Sequence, residues 1–320
     1  MIIPAYLEST VIGTKVREIA RSFAQSEVSG RVIVVASDAA TARAAEHAGS
    51  DLVLRTGRLG KAAAINHGVA HSEATVIAFS DANCRVEPVD WYRILRDDLE
   101  QADLVSAQKT ESGGSEGSLR VLDALVRRSG SGVHESAAVY GEFVAMRRSD
   151  FEPLPEDVIL DDVALGLSFG RRHLRVVVDE RIRTVESAPP PREQWGRRVR
   201  IAEGLLGESV PDIARLLRFP AGRVFTAHKI VRVTLSCAAF WTTLVSAAVA
   251  VPPVSLVVVP LMVISVLGYA GRIRLPHWIR SLVAPIGMQA VPLVALRIVL
   301  RRRFGRGRPS AGALWEKIQR

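Results

Sequence analysis

The 320-residue sequence predicts an α/β fold, a mostly parallel sheet with helices on both faces, followed by C-terminal transmembrane helices. Three observations predict it. Short apolar or β-branched runs alternate with helically spaced segments up to about residue 188, the pattern of a parallel sheet covered on both sides. Polar residues recur just beyond those runs, where such sheets bind ligands. No charged residue occurs from Val233 to Gly271, a stretch long enough for two bilayer crossings of about 20 residues each.

The chain opens on Met1-Ile2-Ile3-Pro4 without a signal-peptide pattern, and this reads as the end of a first strand. A strand of two or three residues would make a poor edge, so a start upstream is left open. Val16, Ile19, Ala20 and Phe23 are spaced for a helix over Val11–Phe23, and Arg31–Ala36 is a β-branched strand. Then follow a helix at Ala40–Ala48, a strand at Asp51–Arg55, a helix at Lys61–Ala70 and a strand at Ala74–Ser80. Asp90–Gln101 reads as a helix and Asp103–Ala107 as a further strand. Asp161-Asp162 opens an apparent helix, Val163–Phe169, and aspartate is a preferred N-cap.

The strand that ends in Phe79-Ser80 is followed by Asp81-Ala82-Asn83. A carboxylate and a carboxamide two positions apart deliver two oxygens to one place. Mg²⁺ suits such a site, since it takes one or two protein carboxylates and completes its shell with phosphate and water. A simple turn is the alternative for this pattern.

Beyond residue 188 the composition changes. Net charge is +9 and mean hydropathy +0.18, and arginines crowd Arg192–Arg232 and Arg297–Arg308 on either side of the apolar blocks. Charge that tracks apolar segments points to anionic lipid headgroups and a cytoplasmic orientation. Nucleic-acid binding is set aside, because the charge follows those segments and aromatic residues are only 6%. Pro252-Pro253 divides the long run into helices at about 233–251 and 254–271. A third apolar segment, 281–300, contains Pro285, Pro292 and Arg297 and has basic residues at both ends. A re-entrant or in-plane course would keep both ends on the cytoplasmic side and is favoured over a full crossing. Gly204–Val224 carries apolar residues between arginines and suits interfacial helices. The two cysteines, Cys84 and Cys237, make no disulfide framework. The domains are thus 1–203, the interfacial region 204–232, the membrane helices 233–300 and a basic cytoplasmic tail 301–320.

Eight segments in order then carry a resemblance. Ile3-Pro4-Ala5-Tyr6-Leu7-Glu8, Arg58-Leu59-Gly60-Lys61 with Ala64-Ile65-Asn66-His67-Gly68, and Asp81-Ala82-Asn83 come first. Gly141…Ala145-Met146-Arg147-Arg148, Ile159-Leu160-Asp161-Asp162-Val163-Ala164-Leu165 and Arg197-Arg198-Val199-Arg200-Ile201 follow. His228-Lys229-Ile230-Val231-Arg232 and Trp315-Glu316-Lys317…Arg320 complete the set. Together they resemble glycosyltransferase family 2, in the membrane-bound branch that includes cellulose and hyaluronan synthases.

The resemblance implies a GT-A fold and attack of an acceptor hydroxyl on a UDP- or GDP-sugar, inverting because one base and no enzymic nucleophile take part. It implies Mg²⁺ or Mn²⁺ on Asp81 and Asn83, and Asp162 as general base with Asp161 raising its pKa through repulsion. Pro4, Ala5, Glu8, Asp38, Gly60, Lys61 and Asp81 would bind the nucleotide sugar, and Arg200 its diphosphate. The chain departs from the family at Leu7, where Asn is usual, and at Arg197 and Ile201, where Gln and Trp stand. Loss of the stacking tryptophan argues for one transfer to a lipid-linked or small acceptor rather than a processive synthase. Trp195 does not fall at the Ile201 position by helical spacing. A scaffold that has lost turnover is the further alternative, opposed by retention of Asp81, Asp162, Lys61 and Arg200. The resemblance and the basic flanks together place the protein in the cell membrane, multi-pass, with its catalytic domain cytoplasmic.

Overall fold

A computed structural model describes residues 1–26, 28–112 and 139–304. The expected closing motif at Trp315 and residues 305–320 of the basic tail lie outside the described residues. The chain divides into two compact units, the first built mainly from residues 1–112 and 133–186, the second mainly from 187–308.

Among the described residues the first unit contains an eight-stranded sheet of order β3-β2-β1-β4-β7-β6-β8-β5. The strands are β1 (Ile2–Ala5), β2 (Ile33–Ala36), β3 (Leu52–Arg55), β4 (Val76–Ser80), β5 (Arg85–Glu87), β6 (Leu104–Ser112), β7 (Phe143–Arg147) and β8 (Val176–Ser187). Strands β1 to β4 run parallel, β7 runs against β4, and β6 runs against β7. The short first strand is no edge, since β1 lies between β2 and β4 and pairs with β2 along all four of its residues.

Alternation along the strands sorts side chains to two faces. Ile3, Ala5, Val34, Ala36 and Val105 pack with Val16, Ile19, Ala42 and Leu95 from α1 (Ile12–Gln25), α2 (Ala39–His47) and α4 (Trp91–Leu99). Ile2, Ile33, Val35, Ile77 and Phe79 pack with Ala64, Ile65, Leu165 and Phe169 from α3 (Lys61–Ala70) and α5 (Asp161–Arg171). Helices therefore cover both faces, and the strand residues are buried on each side as a parallel sheet requires.

One local expectation is corrected. The fifth helix begins at Asp161, with Leu160 in the cap position making no side-chain capping bond. Asp161 and Asp162 thus occupy the first turn, where the helix dipole favours negative charge. The region after Gly204 is helical in short pieces. A π-helical turn at Leu205–Ser209 and a four-residue helix at Ile213–Leu216 precede Pro220, which starts the next helix.

That next helix runs through Pro220–Ala250, with a π-helical stretch at Thr226–Ile230. Proline at its first turn sets its start, and the basic residues Arg223, Lys229 and Arg232 lie inside it instead of ending it. Pro252 begins the following helix, Pro252–Tyr269, at the expected break. The third apolar segment is helical from His277 to Gly287, passes a 3₁₀ turn at Met288–Ala290 and continues as Val291–Phe304. By length and composition two helices of the described residues, Pro220–Ala250 and Trp278–Phe304, could cross a membrane. Within this unit Val199, Ala202, Tyr269, Ala284, Val291 and Ala295 form a small core, and Trp241 Nε1 donates to the Gln289 carbonyl at 2.9 Å.

Candidate active site

The expected residues gather where the parallel strands end. Pro4 and Ala5 finish β1 opposite Val35 and Ala36. The β1–β4 register pairs Ile2 with Phe79, so its continuation brings Pro4 level with Asp81.

Asp38 shapes the corner beside them. Its carboxylate caps α2 by accepting from Thr41 N at 2.9 Å and reaches back to accept from Leu7 N at 2.7 Å. Burial raises its pKa, but hydrogen bonds from Thr41, Leu7 and Ala40 outweigh burial and hold it below the ordinary value. Glu8 N donates to Thr41 Oγ1, while the Glu8 carbonyl accepts from Val11 and Ile12 at the start of α1. Asp38 and Glu8 therefore join β1 to α2.

Leu7 turns this corner with φ of 53°. A left-handed backbone costs a β-carbon-bearing residue about 1–2 kcal/mol, less for asparagine, whose short polar side chain bonds locally. The asparagine usual at this position in the family suits the turn. Because Leu7 is 45% exposed, little burial offsets the strain. Replacing it by Asn or Gly is expected to raise Tm, by about 1 kcal/mol in stability. A lower Tm on thermal unfolding would show that leucine packing outweighs the backbone.

Gly60 precedes α3 with φ of 98°, a conformation that favours glycine. It delivers Lys61 into a ring of acids. Lys61 Nζ lies 2.7 Å from Asp81 Oδ1 and 3.3 Å from Asp161 Oδ2, and donates to the Gly141 carbonyl at 3.0 Å. Burial opposes the ammonium charge, but Asp161, Asp81 and Glu142 outweigh it and hold the pKa above its usual range. Asp162 stands beside this group, its Oδ1 accepting from Val163 N. Burial is the largest effect on Asp162, followed by repulsion from Asp161. Together they push its pKa up to about 6, against the lowering influence of Lys61. Gly141 permits this approach, since a β-carbon there would lie 3.1 Å from Asp162 Cβ and 3.4 Å from Lys61 Nζ.

Asn83 belongs to a second network. Its Nδ2 donates to Glu186 Oε1 at 2.9 Å, and Lys109 Nζ bridges Glu186 Oε2, at 3.1 Å, to Glu142 Oε1. The Glu142 carbonyl accepts from Asp81 N at 3.1 Å, tying the network to the end of β4. Sequence reasoning missed Glu142, Glu186 and Lys109. It quoted Arg58 within a motif but gave it no role; the Arg58 guanidinium lies over the Tyr6 ring at 4.9 Å. Two buried Arg58 nitrogens, Nε and one terminal, have no hydrogen-bond partner among the described residues. An arginine two residues before a Gly-Lys pair was the available signal.

No three His, Cys, Asp or Glu side chains among the described residues form a metal site by themselves. The donor set nevertheless suits a cation shared with phosphate. Asp81 supplies a carboxylate, and Asn83, with its amide nitrogen committed to Glu186, has its oxygen left to offer. Among the described residues, Asp81, Asp161 and Asp162 gather around Lys61, and Glu142 and Glu186 around Lys109.

Arg200 is exposed on helix Pro191–Gly204 in the second unit. On the same helix Trp195 packs edge-to-face on Tyr269, ring centroids 5.9 Å apart. Its aromatic surface is engaged in that packing.

Among solved structures, the chain is similar to a mannosyltransferase from Pyrobaculum calidifontis in complex with GDP-Man and Mn²⁺. Identity is 21%, coverage 96% of this chain and 87% of that one, and TM-score 0.69. Glucosyl-3-phosphoglycerate synthase from Mycobacterium tuberculosis, in complex with Mg²⁺ and UDP, is 20% identical, covering 64% of this chain and 76% of that one with a TM-score of 0.44. No curated protein matches the chain. The first likeness, which runs over 96% of this chain, shows the GT-A fold of the α/β part. Residues 1–154 match the profile of Glycosyl transferase family 2.

Proposed function

We propose that this protein is a membrane-associated inverting glycosyltransferase. It moves a sugar from a UDP- or GDP-sugar to a hydroxyl of a lipid-linked or small acceptor. The observation that carries the reading is the meeting of Lys61, Asp81, Asp161 and Asp162 at the carboxyl ends of the parallel strands. The corner made by Pro4, Ala5, Glu8 and Asp38 receives the nucleotide, with Arg58 and Gly60 beside it. Asp162 takes the proton of the acceptor hydroxyl as its oxygen attacks the anomeric carbon and the bond to the nucleoside diphosphate breaks. A base with a pKa near 6 is ionised at neutral pH yet retains useful basicity. Asp81 and Asn83 would hold Mg²⁺ or Mn²⁺, which when bound neutralises charge on the diphosphate. Arg200 is assigned a charge-assisted contact with that diphosphate.

Membrane association rests on the apolar helices. Val249 is 76% exposed, Leu256 77% and Leu282 70%, an apolar surface suited to lipid rather than water. Arg272, Arg274 and Arg301–Arg303 flank these segments and suit the cytoplasmic headgroup layer.

The test is Mn²⁺- or Mg²⁺-dependent hydrolysis of a panel of nucleotide sugars by the detergent-purified protein, beside Asp81→Ala. GDP-mannose, the ligand of the mannosyltransferase of like fold, is the first donor to try. Metal-dependent release of one nucleoside diphosphate, lost in the variant, is expected. Failure to bind any nucleotide by calorimetry would overturn the reading.

A further inference from the structure

We propose that Glu186 is a positioning residue for Asn83, and that the two form a matched pair which sets this site's affinity for a divalent cation. The inference rests on the metal-assisted reading above.

Glu186 lies near the end of β8, more than a hundred residues from Asn83 in sequence, and is 7% exposed. A carboxamide presents an oxygen on one side and an NH₂ on the other. Rotation by half a turn would point donor hydrogens, useless as ligands, at a cation. The Glu186 carboxylate accepts only, so it holds the NH₂ at 2.9 Å and assigns the opposite side of Asn83 to the oxygen. Lys109, shared with Glu142, anchors the far oxygen of Glu186 at 3.1 Å and fixes its carboxylate in turn.

The pairing also accounts for asparagine at residue 83. An aspartate there would set two carboxylates against each other at hydrogen-bond distance in a half-buried site, a repulsive arrangement. The extra charge that usually strengthens a metal site would then be spent on that repulsion. Asparagine is the partner that Glu186 selects. Conversely, a glutamine at residue 186 can donate to an aspartate at residue 83.

The experiment measures Mn²⁺ binding by electron paramagnetic resonance, with and without GDP or UDP. It compares wild type, Asp81→Ala, Glu186→Ala, Glu186→Gln, Asn83→Asp and the double variant Asn83→Asp/Glu186→Gln. Glu186→Ala is expected to weaken Mn²⁺ binding about tenfold, and Glu186→Gln, which can still accept from Asn83, to recover most of it. Asn83→Asp alone is expected to leave affinity within about threefold of wild type, whereas the double variant binds tenfold or more tightly. Equal tightening by Asn83→Asp with or without Glu186→Gln would show the residues independent and overturn the pairing. This comparison avoids Glu186→Ala, so it decides the matter even where the alanine variant fails to fold. Wild-type binding abolished by Asp81→Ala, with additive effects at residues 83 and 186, sinks the pairing alone. Absence of Mn²⁺ binding in wild type under every condition sinks the metal-assisted reading with it.

Discussion

Replacing Asp162 with asparagine is expected to slow sugar transfer by about 10²–10⁴-fold while leaving donor binding intact. The carboxamide keeps the shape and can still accept from Val163 N, but cannot take a proton from the acceptor. Wild-type kcat/KM should rise with pH through about 6 and then level, and the residual rate of the variant should lack that step. The same change is expected to stabilise the unliganded protein. Because the folded pKa of Asp162 stands above its ordinary value, folding favours the protonated acid. The stability it contributes is present below about pH 4 and is lost as pH rises through about 6. Asparagine stays neutral and avoids the loss. Tm values of the two proteins should therefore converge near pH 4 and separate above pH 6, by an order of 1–3 kcal/mol. A gap independent of pH would contradict the assignment, and an undiminished transfer rate would remove Asp162 from the chemistry.

Lys61→Met carries the second large effect. The substitution removes the cation between Asp81 and Asp161 and preserves most of the side-chain volume. If Lys61 contacts the nucleotide sugar as the resemblance implies, loss of that charge-assisted contact predicts donor affinity lower by about 10–100-fold. The lowering influence of Lys61 on Asp162 also disappears, so the rising limb of the pH–rate profile should move above 6. Removing one partner of a largely buried ion pair destabilises, typically by about 3–5 kcal/mol. That figure is an upper bound here, because Asp81 remains 31% exposed and solvent screens it. Mn²⁺ supplies the missing charge, and should raise the Tm of the variant more than that of wild type. Equal Mn²⁺ shifts in the two proteins would show that the ammonium does not balance these carboxylates.

Much of this architecture was legible in the sequence because its signals are local. β-Branched runs, helical spacing and Pro252-Pro253 each report on neighbours a few residues away. The Lys61–Ala70 helix is found with the expected bounds. The misplaced helix start at Asp161 shows the weakness of capping preferences, since acids suit both the cap and the first turn. The helical run of Pro220–Ala250, π-helical at Thr226–Ile230, passes through Arg223 and Arg232 and shows that charge does not end a helix. Asp81, Lys61, Asp161 and Asp162 could be singled out because motifs mark them. Glu142 and Glu186 could not, because their importance comes from β7 and β8 delivering them from afar. The left-handed turn at Leu7 was equally hidden, as leucine gives no sign of such a backbone.

The distances in sequence spanned by the site have a consequence for how the protein is made. Lys61 meets the Gly141 carbonyl across 80 residues, and Asn83 meets Glu186 across 103. Contacts of such span close late, after the entropy of long loops has been overcome, and they slow folding. During synthesis, β1 to β4 and their helices emerge while Glu186 is still to be added. A nascent chain at that stage holds its acidic residues without the partners that order them. Assembly of the site therefore reports completion of the first unit, and recovery of Mn²⁺-dependent nucleotide binding should trail recovery of helical signal during refolding.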